Sequence, residues 1–419
     1  MKNSAPGSKK VVVAGMAGNL LEWFDFAIYG FFAVTIGKLF FPEQDPVAQV
    51  IAAFGVFAVG FLMRPIGGML LGYIGDKHGR QTAMMISVAA MAIPTFLVGV
   101  LPGYATLGIA APILLLILRM IQGLSVGGEY TTSVVYLVEH APEKRRGLMG
   151  SFAVLGSVGG MLLGSAVGAF LASALTPEQL DSWGWRIPFF MGLLLGVAGL
   201  YLRRESSSSE PVLTKPEHNP LMIALRDHWR VMLRISGLCT VNAVAFYLVF
   251  VYLVSWLQMV DGIAPARALE INTVSMLLLL PVMLASGWLS DRVGGKVLLA
   301  SSSLLIAILA WPLFWAMHTD HWLSIQVAQM TFALILGTFL GAQPAYMVSL
   351  IAKHVRCSAT GLAYNLTLGI AGGLSPMAAT WLVNRTHDDL SPAYLVIAAA
   401  LISFISVVIA PRRVRSSPA

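Results

Sequence analysis

The chain has 419 residues, 57% of them hydrophobic and 11% charged, with a net charge of +7. A soluble protein would carry about a quarter charged residues, so this composition excludes an ordinary aqueous globule and makes lipid the expected solvent. The basic excess does not imply nucleic acid, because no basic stretch is interleaved with aromatic residues; it fits the aqueous fringe of a membrane protein. Twelve apolar segments follow in order, at 11–40, 47–74, 82–101, 108–139, 147–175, 184–202, 231–260, 267–289, 297–317, 322–352, 358–385 and 391–410. Most are near the length of about 20 apolar residues that a spanning helix needs. The first contains Glu22 and Asp25 and is too long for the apolar core of a signal peptide, so it reads as a retained helix. Cys239 and Cys357 lie in or beside apolar segments and imply neither a disulfide framework nor a metal site.

The longest polar stretch, 203–230, carries Arg203, Arg204, four serines from Ser206 and prolines 211, 216 and 220. It reads as a cytoplasmic linker between an N-terminal six-helix half (1–202) and a C-terminal one (231–419). Of the 27 Lys and Arg residues, 21 fall at the termini or in the loops on the side of the linker, four (Lys38, Arg186, Arg267, Arg385) fall near the opposite loops, and two (Arg64, Arg119) fall inside helices. This bias places both termini in the cytoplasm.

The two halves share a loop. Gly72-Tyr-Ile-Gly-Asp-Lys-His-Gly-Arg80 returns as Gly287-Trp-Leu-Ser-Asp-Arg-Val-Gly-Gly-Lys296, matching Gly72, Asp76 and Gly79 to Gly287, Asp291 and Gly294 at an offset of 215 residues. A second echo links Arg145-Arg-Gly-Leu148 to Ala359-Thr-Gly-Leu362 at nearly that offset. The glycines permit a tight turn and close helix approach. Asp76 is expected to cap the following helix or to bond the facing half and lock one conformation, and Arg80 and Lys296 to sit at the anionic leaflet. Repeated six-helix units place a transport site near the midplane between them.

These features resemble the major facilitator superfamily. Within it, Gly18-Asn-Leu-Leu-Glu-Trp-Phe-Asp-Phe26, Phe61-Leu-Met-Arg-Pro-Ile-Gly-Gly68, Gln122-Gly-Leu-Ser-Val-Gly-Gly-Glu-Tyr130 and Trp183-Gly-Trp-Arg-Ile-Pro188 resemble the metabolite:proton symporter family. That family includes carriers for citrate, α-ketoglutarate, shikimate and proline/betaine. The resemblance implies an all-α integral membrane fold of twelve transmembrane helices, a bacterial inner-membrane location, and transport driven by a proton gradient without a cofactor.

Ionisable groups inside a bilayer are costly, at about 2.5–3.5 kcal/mol even on the lower scales. Glu22, Asp25, Arg64, Arg119 and Glu129 therefore should face the protein interior, and all lie in the first half. Glu22 and Asp25 share a helix face. A carboxyl that is buried beside a movable cation can exchange a proton between states; Asp25 is the first candidate for this, with Glu129 and Glu22 behind it. Helical rise puts Asp25 about 22 Å, Arg64 about 25 Å and Arg119 about 12 Å from the external side, so depth favours an Asp25–Arg64 pair. The resemblance instead points to Arg119, in its Arg-x-x-Gln-Gly motif with Gln122 and Gly123, and both pairings stay open. Tyr29, Arg64, Arg119 and Gln122, with Asn242, Tyr247 and Asn365 of the second half, are the candidate substrate contacts. Gly156, Gly160, Gly164 and Gly168 form a small-residue stripe for helix packing, and Trp183 and Trp322 read as interfacial anchors. The run Gly156-Ser-Val-Gly-Gly160 lacks the proline of the facilitator antiporters, which favours symport over efflux.

The expected function is proton-coupled import of a small organic acid, a di- or tricarboxylate, by a monomer. A zwitterion of the proline or betaine kind is the alternative, since the first helix, 183–204 and 359–383 resemble that branch too; drug or metabolite efflux is the third reading. Two features favour the organic acids: Arg119 rather than Lys before Gln-Gly, and a chain that stops at Ala419 with no coiled-coil extension of the kind some osmosensing members carry.

Overall fold

The computed structural model describes residues 9–42, 45–78, 80–127, 129–139, 141–206, 225–319, 321–352 and 355–410. Among these the chain is helical between its loops and contains no strand. Nine helices are long and apolar enough to cross a bilayer, a bent tenth passes as a pair, and the shorter Met85–Val100 and Gly184–Ala198 complete the twelve.

The twelve spans are α1 (Lys9–Phe31 continuing as Ala33–Phe40), α2 (Pro46–Leu62 and Arg64–His78), α3 (Arg80–Val100), α4 (Ala110–Ser125 and Glu129–Glu139), α5 (Arg146–Ala174), α6 (Ile187–Ser206), α7 (Trp229–Met259), α8 (Pro265–Val293), α9 (Gly295–Met317), α10 (Trp322–Ser349), α11 (Arg356–Thr386) and α12 (Ser391–Ile409). Local chemistry sets several of the ends. Asp45 accepts the N–H of Val47 at 2.9 Å and Pro46 follows it, which starts α2. Gly294, with φ of 92°, makes the turn between α8 and α9 that an L side chain resists. α5 has no side-chain cap of its own at Arg145.

The first and last six spans meet along α5 with α8 and along α2 with α11, and α5 also packs against α1. The glycine stripe makes the α1 contact close. A Cβ on Gly160 would meet the backbone of Leu20 and Phe24, and one on Gly164 would meet Ile28 and Ala27. Outward-facing positions such as Phe170, Leu194, Leu277 and Ile308 are exposed and apolar, as are Trp183 and Trp322 near span ends.

Two departures from straight helix matter for the site. α1 bends by 66° at Phe32. α7 and α11 each contain a wider π turn, Leu248–Tyr252 and Leu368–Gly372, a distortion that often marks functional segments.

A buried ionic cluster and a charged latch

α1 supplies one wall of the centre. Glu22, Asp25 and Tyr29 fall on one face by their three- and four-residue spacing. Arg64 starts the second segment of α2, and Arg119 and Gln122 sit one turn apart on α4. All four charged side chains are buried. Arg64 Nη2 lies 3.2 Å from Glu22 Oε1, and Arg119 Nη1 lies 3.6 Å from Asp25 Oδ2. Gln122 Nε2 donates to Asp25 Oδ2 at 2.8 Å and to Thr95 Oγ1 at 2.9 Å. The Arg119 guanidinium stands 3.8 Å over the Tyr29 ring, whose hydroxyl donates to the Ala53 carbonyl at 3.0 Å. Phe26 lies between the two cations, its centroid 5.9 Å from each.

The structure therefore corrects the depth argument: Asp25 faces Arg119, and Arg64 faces Glu22. The bend explains the error. Counting fifteen straight residues from Phe40 overstates the depth of Asp25, because the segment beyond Phe32 is tilted by 66°. Corrected for that tilt, Asp25 lies about 15 Å from the far end of α1, nearer to the depth of about 12 Å for Arg119 than to that of about 25 Å for Arg64.

The second-half candidates are placed differently. Asn242 Nδ2 donates to Gln343 Oε1 at 3.0 Å, and Gln343 Nε2 donates to Cys239 Sγ at 3.1 Å, so Asn242 ties α7 to α10. Asn365 Nδ2 donates to the Gly127 carbonyl at 2.7 Å and so joins α11 to α4. Tyr247 alone of the three enters the central cluster, with its ring 5.2 Å from Phe61 and 6.5 Å from Trp23. Sequence reasoning missed four neighbours: Thr95, Trp23, Tyr130 and Tyr364. Trp23 and Tyr130 stood inside quoted motifs, and Tyr364 sits beside Asn365. Thr95 had no signal beyond being polar in an apolar helix next to Pro94.

The repeated loop has a clear task in its second copy. Asp291 Oδ1 accepts the N–H of Gly147 at 2.7 Å, and Oδ2 accepts that of Leu148 at 3.0 Å. The missing cap of α5 thus comes from the other half of the chain, through the Arg-Gly-Leu echo. Gly287 lets α8 approach α5, since a Cβ there would lie 2.7 Å from Ser151 Oγ and 2.8 Å from the Gly147 carbonyl. Lys296 does not reach outward to a leaflet. Its ammonium donates to the carbonyls of Val408 at 2.9 Å and Ala410 at 2.6 Å, closing the end of α12. Arg356 pairs with Glu139 on the same face, again between the halves. Gly72 lies in α2; Gly79 and the side chains of Asp76, Arg80 and Glu129 lie outside the described residues. On the opposite face the halves join through neutral groups. Asn272 Nδ2 donates to Ser165 Oγ at 3.1 Å, and Ser165 and Thr273 share a hydrogen bond of 2.8 Å.

Twelve spans in two packed sets, a buried charge cluster in the first set and a cross-half latch at one face define a helical carrier of small solutes. The Major Facilitator Superfamily model matches residues 16–376, and the chain belongs to that superfamily: it is a multi-pass membrane transporter. It is 38% identical over 413 residues to a proline/betaine transporter of Salmonella typhimurium, covering 95% of this chain and 82% of that one. The corresponding values are 36%, 95% and 82% for a proline/betaine transporter of Escherichia coli. A glycine betaine/proline/ectoine/pipecolic acid transporter of Dickeya dadantii is 37% identical, again over 95% and 82%. Among solved structures, a D-xylose-proton symporter superposes with a TM-score of 0.73 at 19% identity, over 94% of this chain and 97% of that chain. At that identity the likeness concerns the fold alone.

Proposed function

We propose that this carrier imports a zwitterionic, proline- or betaine-like solute together with a proton across a bacterial inner membrane. The observation that supports this most is the charge balance of the buried cluster. Glu22, Asp25, Arg64 and Arg119 sum to zero, and each cation already has its acid. A di- or tricarboxylate would add two or three negative charges where, among the described residues, each buried cation already faces an acid, and an uncompensated buried charge is costly. A zwitterion adds none. Arg119, which favoured the organic acids in sequence, is engaged by Asp25 and Tyr29. The proline/betaine names of the relatives support the same choice.

On this reading Asp25 is the proton carrier. Protonation frees Arg119 from its partner, while Gln122 and Tyr29 keep both groups in register. The substrate carboxylate competes with Glu22 for Arg64, which makes Glu22 a second group that can take up a proton. The halves rock about the α5–α8 and α2–α11 seams, and the face with the Asp291 latch is cytoplasmic.

The test is uptake by purified proteoliposomes with an alkaline interior. Citrate, α-ketoglutarate, shikimate, proline and glycine betaine form the panel. Gradient-driven accumulation of proline or betaine is expected; accumulation of a di- or tricarboxylate alone would return the reading to the organic acids. Asp25→Asn should abolish pH-driven accumulation yet retain solute exchange. Full accumulation by that variant would remove Asp25 from the coupling role.

A further inference from the structure

We infer that the ammonium end of the substrate is held by an aromatic cage built from both halves of the chain, and the carboxylate end by the donors that adjoin it. The inference rests on the zwitterion reading and assigns its two ends to named groups. Four rings run across the seam between the halves. Tyr247 stacks on Trp23 at 6.5 Å, Trp23 meets Tyr130 edge-on at 6.4 Å, and Tyr130 stacks on Tyr364 at 4.8 Å. Trp23 and Tyr130 come from the first six spans; Tyr247 and Tyr364 come from the last six.

The polar atoms beside these rings ask for an acceptor. Among the described residues, Arg64 Nε and Nη1, Trp23 Nε1 and the Tyr247 hydroxyl have no hydrogen-bond partner, although all are buried. The first three can only donate. Buried donors without acceptors are rare and costly in a native protein, and a carboxylate satisfies several at once. Ring faces attract a cation, most strongly where water is excluded. The Arg64 guanidinium stands 5.2 Å from the Trp23 ring and 5.3 Å from Phe61, so the two subsites adjoin. Their closeness selects a carboxylate joined to an ammonium through one or two carbons. Recognition needs rings from both halves, so such a ligand also draws the halves together.

The experiment measures displacement of radiolabelled glycine betaine from purified carrier in nanodiscs by three competitors. Unlabelled betaine has both ends, choline has the quaternary ammonium without a carboxylate, and 3,3-dimethylbutyrate is the carboxylate with carbon in place of nitrogen. The wild type should bind betaine at least about tenfold more tightly than either half-ligand. Trp23→Leu removes both a ring and the Nε1 donor, so it should weaken choline by about tenfold or more, betaine by more than that and dimethylbutyrate by only about fivefold, and Trp23→Phe, which keeps a ring without the N–H, should restore choline but not dimethylbutyrate. Tyr247→Phe keeps the ring and removes the hydroxyl, so it should weaken betaine and dimethylbutyrate about fivefold and spare choline. A wild type with no preference for betaine over both half-ligands overturns the zwitterion reading itself. A wild type that has the preference, with variants that keep it or weaken all three ligands equally, overturns the cage alone. Where Trp23→Leu does not fold, Tyr364→Leu removes a ring of the cage and should weaken betaine and choline by about tenfold while sparing dimethylbutyrate.

Discussion

Asp291→Ala tests the latch directly. The wild-type carboxylate accepts the first N–H groups of α5 at 2.7 Å and 3.0 Å, and α5 has no cap of its own. Hydrogen bonds to a charged group contribute about 1.5–3 kcal/mol each, and an anion at a helix start adds about 0.3–1 kcal/mol. Asp291 is only half-buried on an aqueous face, so the low end applies, about 3 kcal/mol in total. That energy is present only when this face is closed, because α5 and α8 belong to different halves. Its loss should shift the closed-to-open ratio by about 100-fold toward open. The Arg356–Glu139 pair remains and keeps the closed form populated. The assay is pulsed dipolar spectroscopy in nanodiscs, with spin labels at the exposed Lys144 and Val293. Cys357 is replaced by Ser, and the buried Cys239 is kept. The wild type should give one short distance, and Asp291→Ala a second, longer population. An unchanged distribution in a folded variant would refute the latch.

Two further outcomes follow from burial. Cys357 is exposed at the start of α11 and Cys239 is buried in α7; a membrane-impermeant maleimide should therefore label Cys357 in inside-out vesicles and not in intact cells, and the reverse pattern would invert the proposed orientation. Gly160→Val should lower thermal stability in detergent by about 1–3 kcal/mol or more, because its side chain meets the Leu20 backbone. Gly159→Ala, where an added Cβ meets nothing within 4 Å, should leave stability unchanged, and equal loss in both would detach the stripe from the α1 contact.

The spans were legible because lipid leaves few choices: each crossing needs a long apolar run with its backbone bonds satisfied internally. The burial of Glu22, Asp25, Arg64 and Arg119 was legible for the same reason. Which acid meets which cation was not, since it depends on a bend at Phe32 that no proline announces. Gly30 lies two residues away, and a Cβ there would run into the Val251 side chain of α7, so close packing was its only trace. The cross-half cap of α5 left a faint sign in Arg145-Arg-Gly-Leu148: a helix start with no Ser, Thr, Asp or Asn of its own. The partner, Asp291, lay 143 and 144 positions away from the two N–H groups that it accepts. Lys296 misled because a basic residue in a loop reads as a leaflet contact, whereas here the end of α12 lies within reach.

The charge balance of the centre has an energetic consequence for the cycle. On the proposed zwitterion:proton reading, with Glu22, Asp25, Arg64 and Arg119 summing to zero and a zwitterion adding none, each proton taken up would be the net charge that crosses. The membrane potential then contributes about 2.3 kcal/mol per 100 mV for each proton carried, and the pH gradient about 1.36 kcal/mol per unit. A dicarboxylate carried with one proton would cross with a net negative charge, and the same potential would oppose its import. The neutral seam at Ser165, Asn272 and Thr273 fits this economy of charge. Those contacts between the halves carry no charge, whereas on the latch face the halves meet through Asp291 and the Arg356–Glu139 pair.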